Sequence, residues 1–279
     1  MGIVIVDKEK TLYQNIYGDK EMEVDSPFII GSVSKSFTVL TLLKLGVDID
    51  KTLDQYDLKD YINQDDAKKI AIRELLNHTS GLQGFGHHII YKKGEHHYSN
   101  YDFALLGKII EIECKKSYHD CLKEKIFAPL NMTNTEARHR EGIITSYDNF
   151  FGFSIKYTGL DSEIGDGFMI PAGFISSTLN DMAKYLRMYV KALDEDYPGI
   201  SEHITRMSNM STKIGYNYGY GMDLYVKKKD NITNVYHSGG AKSILCQFSI
   251  FKEKNLEFMS LLILGIYYVY IQLKLLLII

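Results

Sequence analysis

Gly31-Ser32-Val33-Ser34-Lys35-Ser36-Phe37-Thr38-Val39-Leu40-Thr41-Leu42-Leu43-Lys44-Leu45-Gly46 is the stretch on which the fold depends. Apolar residues fall on nearly every side of its helical period: Val33, Phe37, Val39, Leu40, Leu42, Leu43 and Leu45. A helix that is apolar all round has no solvent face and belongs in the middle of a protein. Pro27 and Gly31 punctuate the chain before it, and Gly46 stops it. Ser32 and Lys35 stand at its start, three residues apart and therefore on one face.

The flanks say what such a helix is buried against. Residues 2–6 and 12–17 are short runs of β-formers joined by Asp7-Lys8-Glu9-Lys10, which predicts a hairpin. Helical patterning predicts helices over 70–77, 101–113 and 118–127, the last stopped by Pro129. Between 130 and 170 the pattern weakens, and loops and irregular structure are expected. An amphipathic helix is expected over 181–193, with Met182, Tyr185, Leu186, Tyr189 and Val190 on one side. Strands are expected over 219–226, 235–238, 244–251 and 256–264, with Gly239-Gly240 and residues 252–255 as turns. Strands at both ends with helices between them are an α+β pattern. One antiparallel sheet would hold both chain ends. A single domain over 1–279 is expected, with a sheet-containing part (1–45 and 175–279) and a mainly helical and loop part (46–174).

Bulk properties narrow the function. The chain has 279 residues, enough for a full core, with 45% hydrophobic and 24% charged residues, as in ordinary globular proteins. A net charge of −3 argues against a nucleic-acid partner. Lys227-Lys228-Lys229, followed by Asp230-Asn231, reads as a solvated hairpin turn. Cys114, Cys121 and Cys246 are odd in number and form no C-x-x-C pair, which argues against a disulfide framework or a structural zinc site; a Cys114–Cys121 bridge stays open. No secretory signal is read at the start of the chain. Residues 258–279 are almost wholly apolar, broken by Gln272 and Lys274. They fit a packed strand and helix, or contact with a membrane.

Three constellations can carry chemistry. In Ser32-Val33-Ser34-Lys35 the serine needs a base beside it; desolvation on a buried helix disfavours the ammonium and lowers the lysine pKa, so a neutral lysine amine could take the serine proton. Backbone N–H groups at a helix start also favour an oxyanion. Alone, S-x-x-K is a weak signal, because the four residues read more simply as a helix N-cap serine followed by an incidental lysine. In Tyr98-Ser99-Asn100, Tyr98 could relay a proton as a phenolate stabilised by a nearby lysine, and Asn100 could hold that lysine or a substrate carbonyl. The alternative is that Asn100 caps a helix on which Tyr98 packs. In His237-Ser238-Gly239-Gly240, the glycines permit close approach to a strand edge. The Gly240 N–H could pair with that of Ser32 in an oxyanion hole; the alternative is a glycine turn beside an exposed histidine. His87-His88 and His96-His97 lack a carboxylate or cysteine at useful spacing, so no metal or other cofactor is expected.

In this order, S-x-x-K, Y-x-N and H-x-G, the chain resembles the serine β-lactamase and penicillin-binding-protein superfamily. Its likeness is to the branch holding class C β-lactamases, D-alanyl-D-alanine carboxypeptidases and family VIII-type esterases. Phe28–Thr38 looks like the nucleophile region of that branch, and Leu75-Leu76-Asn77-His78-Thr79-Ser80-Gly81-Leu82 looks like its L-L-x-H-T-S-G-L stretch. Residues 126–132 and 176–183 match further segments, and the resemblance covers roughly residues 2–264. It implies a β-lactamase/DD-peptidase-like fold with flanking helices and a helical subdomain. It also implies roles: Ser32 attacks a carbonyl, Lys35 and Tyr98 handle its proton, Asn100 positions groups, His237 and Gly239 line the sheet side of the pocket, and Gly240 completes the oxyanion hole. The implied activity is a serine hydrolase working through an acyl-enzyme on a small ester, amide or D-amino-acid peptide, at the cell envelope or outside the cell, with the cytoplasm as the open alternative. The chain departs from the branch in three places. His237 replaces the lysine of K-T-G, which points away from antibiotic hydrolysis. The 82–98 segment is short, and no helix precedes the first strand. These departures, with the apolar C-terminal segment, leave a second expectation: an impaired homologue acting as a ligand-binding or envelope regulatory module.

Overall fold

The computed structural model describes residues 1–17, 22–144, 147–150, 153–156, 167–194, 197–215, 218–229, 231–241, 244–251, 253 and 256–263. In chain order the elements are β1 (Gly2–Val6), β2 (Thr11–Ile16), β3 (Phe28–Ile29), a 3-10 turn (Gly31–Val33), α1 (Ser34–Lys44), α2 (Gln64–Ala67), α3 (Ile72–Leu76), α4 (Asn100–Cys114), α5 (Tyr118–Leu122), β4 (Tyr147–Phe150), β5 (Phe153–Lys156), α6 (Ile170–Gly173), β6 (Ser176–Ser177), α7 (Leu179–Asp194), α8 (Ser201–Met207), β7 (Thr212–Gly215), β8 (Tyr218–Gly221), β9 (Leu224–Lys229), β10 (Ile232–Ala241), β11 (Ile244–Phe251) and β12 (Leu256–Ile263).

The main sheet runs β2-β1-β12-β11-β10-β9-β8-β7, antiparallel throughout. β1 pairs with β12, Gly2 opposite Leu261 and Val6 opposite Glu257, so the first and last strands lie side by side. The helical part of the chain is inserted between them. Val235, His237 and Gly239 alternate onto the buried face of β10, and Ile244, Cys246, Phe248 and Ile250 onto that of β11.

Every residue of α1 from Ser34 to Leu43 is buried, as its all-round apolar pattern requires. Phe37 stacks on Tyr185 of α7 with ring centroids 3.8 Å apart. Each apolar side chain buried this way contributes roughly 1.5–3 kcal/mol. The Gly31–Val33 turn leads directly into that rigid centre.

Several expectations need correction. Gly239-Gly240 is not a turn: both residues lie inside β10, opposite Cys246 and Leu245 of β11. The strand expected over 219–226 is two strands, β8 and β9, separated by a tight turn at Met222-Asp223, where φ is +42° and +89°. Residues expected to be irregular include the β4–β5 hairpin. Cys114 and Cys121 are joined by a disulfide between the end of α4 and α5, so the bridge left open is made although there is no wider framework. The Lys227–Lys229 run does end at a hairpin, Lys229 pairing with Ile232. The expectations placed on 264–279, and with them most of the apolar C-terminal segment, lie outside the described residues. Among the described residues no helix is long and apolar enough to cross a membrane.

Candidate active site

Ser32 sits in the 3-10 turn just before α1, not in the helix proper. Gly31 takes φ +56°, in the left-handed region that glycine adopts without strain. Three contacts hold this turn. The Ser34 hydroxyl donates to Gly31 O at 2.7 Å and accepts from the Ile175 N–H at 3.1 Å. The buried Cys246 thiol donates to Ile30 O at 2.7 Å. The turn is thereby tied to α1, to the segment before β6 and to β11. Ser32 itself is half-buried, so its hydroxyl can be reached.

Strand β10 runs directly against this turn. A Cβ on Gly31 would lie 2.6 Å from Gly240 N, and one on Gly239 would lie 2.2 Å from Ile30 O and 3.0 Å from Ser32 N. Both glycines are therefore needed for close backbone approach. β9 pairs with β10 only from Ile232 to Tyr236, while β11 continues to Ala241. His237–Ala241 thus leaves β9 and offers an edge beside Ser32. Gly239→Ala forces strand and turn apart. It is expected to cost about 1–3 kcal/mol by urea unfolding and to slow reaction of Ser32 with an active-site probe by about tenfold or more.

Lys35 is fully buried. Its Nζ donates to Ser32 Oγ at 3.1 Å and to Asn100 Oδ1 at 2.7 Å, and it also donates to Ala172 O. Three acceptors from three elements, the Ser32 turn, α4 and α6, meet the three ammonium donors. Burial pulls its pKa down to about 7. The amine and the ammonium are then both populated near neutral pH, which is what a general base requires.

Asn100 is the first residue of α4, whose N-cap Ser99 accepts from the Asp102 N–H at 3.2 Å. The short 82–98 segment is folded back on the preceding loop. Asn100 N–H donates to Gly84 O at 2.8 Å and His97 N–H to His78 O at 2.8 Å, so these bonds place the Tyr98-Ser99-Asn100 corner. The Tyr98 hydroxyl faces the Ser32 side chain, which draws its pKa down a little, and its ring centroid is 4.9 Å from Lys35 Nζ. Burial nevertheless raises the Tyr98 pKa. The resting group is therefore a neutral phenol, not the phenolate expected from a nearby lysine, and it can pass a proton on without holding a charge.

His237 is buried rather than exposed. Its Nδ1 lies 2.7 Å from Ser238 O and its Nε2 3.4 Å from Asp223 Oδ1. The structure therefore brings Ser32, Lys35, Tyr98, Asn100, His237, Gly239 and Gly240 together at one end of the sheet. Sequence reasoning missed two buried acids around them. Asp223 interrupts a strand pattern between Met222 and Leu224, and that interruption was the available signal. Asp102 accepts from the Ser80 hydroxyl at 2.7 Å and has His78 Nδ1 3.5 Å away; its place in the first turn of α4 looked like ordinary helix chemistry.

The sequence profile of the family described as Beta-lactamase matches residues 1–248. A D-aminopeptidase of Brucella anthropi is 24% identical, over 88% of this chain and 52% of the relative. Beta-lactamase-like protein 4 of Dictyostelium discoideum is 26% identical, over 65% of this chain and 40% of the relative. The chain spans about half the length of these curated relatives. The octameric penicillin-binding protein homologue from Pyrococcus abyssi superposes with a TM-score of 0.78 at 23% identity, covering 99% of this chain and 73% of that one.

Proposed function

The chain belongs to the beta-lactamase family, within the serine β-lactamase and penicillin-binding-protein superfamily, and from that premise we propose that it is a serine hydrolase that forms an acyl-enzyme at Ser32. The observation that carries this reading is the contact at 3.1 Å between Ser32 Oγ and Lys35 Nζ, with the lysine buried and its pKa near 7. The free amine takes the Ser32 proton as Oγ bonds to the substrate carbonyl carbon. The amides of Ser32 and Gly240 receive the oxyanion. Collapse breaks the bond to the leaving group, which takes the proton back from Lys35 through Tyr98. Water then attacks the ester, returning a proton to Ser32 Oγ and releasing the acid.

The substrate class we assign is a small ester, an amide or a D-amino-acid peptide. The D-aminopeptidase relatives and His237 in place of a lysine support an amide or peptide over a β-lactam. The Cys114–Cys121 disulfide supports an oxidising compartment, at the envelope or outside the cell. The test is a panel of nitrocefin, short-chain p-nitrophenyl esters, D-amino-acid anilides and D-Ala-D-Ala peptides, run beside Ser32→Ala. Turnover of one class that Ser32→Ala lacks is the expected result. A probe adduct at Ser32 without turnover of any class would instead identify an impaired, ligand-binding homologue.

A further inference from the structure

Asp223 is a buried carboxyl group that none of these steps uses. It lies in the two-residue turn between β8 and β9, where Gly221 pairs with Leu224. Both turn residues are left-handed, and neither is the glycine that such turns favour. A strained backbone of this kind persists where its surroundings demand it. The Asp223 side chain is wholly buried. The Tyr220 hydroxyl reaches its Oδ1 at 3.5 Å and His237 Nε2 lies 3.4 Å from the same oxygen, while neither Asp223 Oδ2 nor His237 Nε2 has a hydrogen-bond partner among the described residues. The titratable groups around the pair are Lys35 of α1, Tyr98 before α4, Tyr220 of β8, Tyr225 of β9, and, acting on the His237 ring, His78.

One hydrogen bond places the first proton on the ring. His237 Nδ1 faces Ser238 O at 2.7 Å. A carbonyl oxygen only accepts, so Nδ1 carries hydrogen. Nε2 then either accepts from a protonated Asp223 or, as part of an imidazolium, donates to an ionised one. In both cases one proton is shared between two buried groups. Burial decides between them: it lifts Asp223 well above the usual carboxylate range, and with the Lys35 charge it lowers His237 to about 3. The neutral acid facing a neutral ring is the resting arrangement. It also leaves Lys35 without an ionised neighbour at this position, which favours the free amine. The separation of 3.4 Å is long, as such bonds often are before substrate binds.

We infer that Asp223 is a positioning residue of this site: its carboxyl hydrogen, donated to His237 Nε2, fixes the ring as the Nδ1–H tautomer tied to the Ser238 carbonyl and so sets the Ser238–Gly240 edge beside Ser32. The inference rests on the hydrolase reading for its catalytic consequence, but not for its proton placement.

The test uses the full chain labelled with 15N-histidine, His237 being assigned by its loss in His237→Gln. The expected spectrum shows a protonated Nδ1 and a bare Nε2, unchanged between about pH 5 and pH 9. In Asp223→Ala the tautomers mix, and fluorophosphonate labelling of Ser32 slows by about tenfold or more. In Asp223→Asn the amide N–H donates to Nε2, and asparagine tolerates the left-handed turn, so labelling recovers to within about threefold of wild type. An imidazolium or an Nε2–H tautomer in the wild type would overturn the inference. So would wild-type labelling in Asp223→Ala, or an Asp223→Asn protein that unfolds at the normal temperature yet is as slow as Asp223→Ala. If wild-type Ser32 does not label at all, the hydrolase reading falls while the ring spectrum still decides the role of Asp223.

Discussion

Ser32→Ala is expected to abolish covalent labelling by fluorophosphonate and by fluorescent penicillin, and to lower turnover of the best substrate by about a thousandfold or more. The size follows from what is removed. Without Oγ no acyl-enzyme can form, and what remains is carbonyl polarisation by the Ser32 and Gly240 amides together with the binding of substrate along β10. The fold should hardly notice the change. Ser32 is half-buried in a turn held by Ser34, Cys246 and Gly31, and its own side chain carries none of those contacts. An unchanged melting curve beside lost labelling is therefore the expected pair of measurements. Equal labelling of wild type and Ser32→Ala would move the nucleophile elsewhere and sink the assignment.

Lys35→Arg and Lys35→Met separate base chemistry from charge. Arginine keeps the cation but cannot give it up, and methionine removes it. Both variants are expected to lose acylation by about a hundredfold to ten-thousandfold. If Lys35→Arg labels at the wild-type rate, the lysine is not a base. In the wild type the acylation rate should rise with pH through about 7, since the amine form does the work. Stability runs with its own sign. The folded pKa of Lys35 lies below the ordinary lysine value of 10.5, so between about 7 and 10.5 the unfolded chain binds the extra proton and stability rises with pH. Below pH 7 both states are protonated and the penalty of the buried cation is fully present. Lys35→Met lifts that penalty at pH 6. It also loses the bonds to Asn100 Oδ1 and Ala172 O, which offsets part of the gain. A melting temperature a few degrees above wild type at pH 6, with a smaller difference at pH 9, is the expected outcome; a domain of this size moves about 2–4 °C per kcal/mol. A large drop at pH 6 would show that the lysine is structural.

Much of this was legible in residue order alone. A helix apolar on every side can only be central, and α1 is buried from Ser34 to Leu43. Alternating β-formers at both chain ends had to find partners, and β1 lies against β12. The three-residue spacing of Ser32 and Lys35 brought the pair together, although Ser32 lies in the 3-10 turn just before α1 and not in the helix. The order of the three motifs then carried the family.

What local patterning could not supply was everything that depends on residues far apart in the chain. Gly239-Gly240 reads as a turn by its own chemistry, but pairing with β11 keeps it in a strand, where the missing side chains let β10 pass the nucleophile turn. The disulfide needed α4 and α5 to meet at an angle that no spacing reveals. Tyr98 was read as a phenolate because a lysine was expected nearby; burial, invisible in one dimension, outweighs that charge. Asp223 was passed over in a strand, yet it faces His237 at the floor of the site. Sequence by itself determined the central helix, the shared terminal sheet and the identity of the Ser32–Lys35 pair, because those follow from periodicity. Only the tertiary structure decided the protonation of that pair, because desolvation and hydrogen bonding act on Lys35 through Asn100 and Ala172, 65 and 137 residues away along the chain.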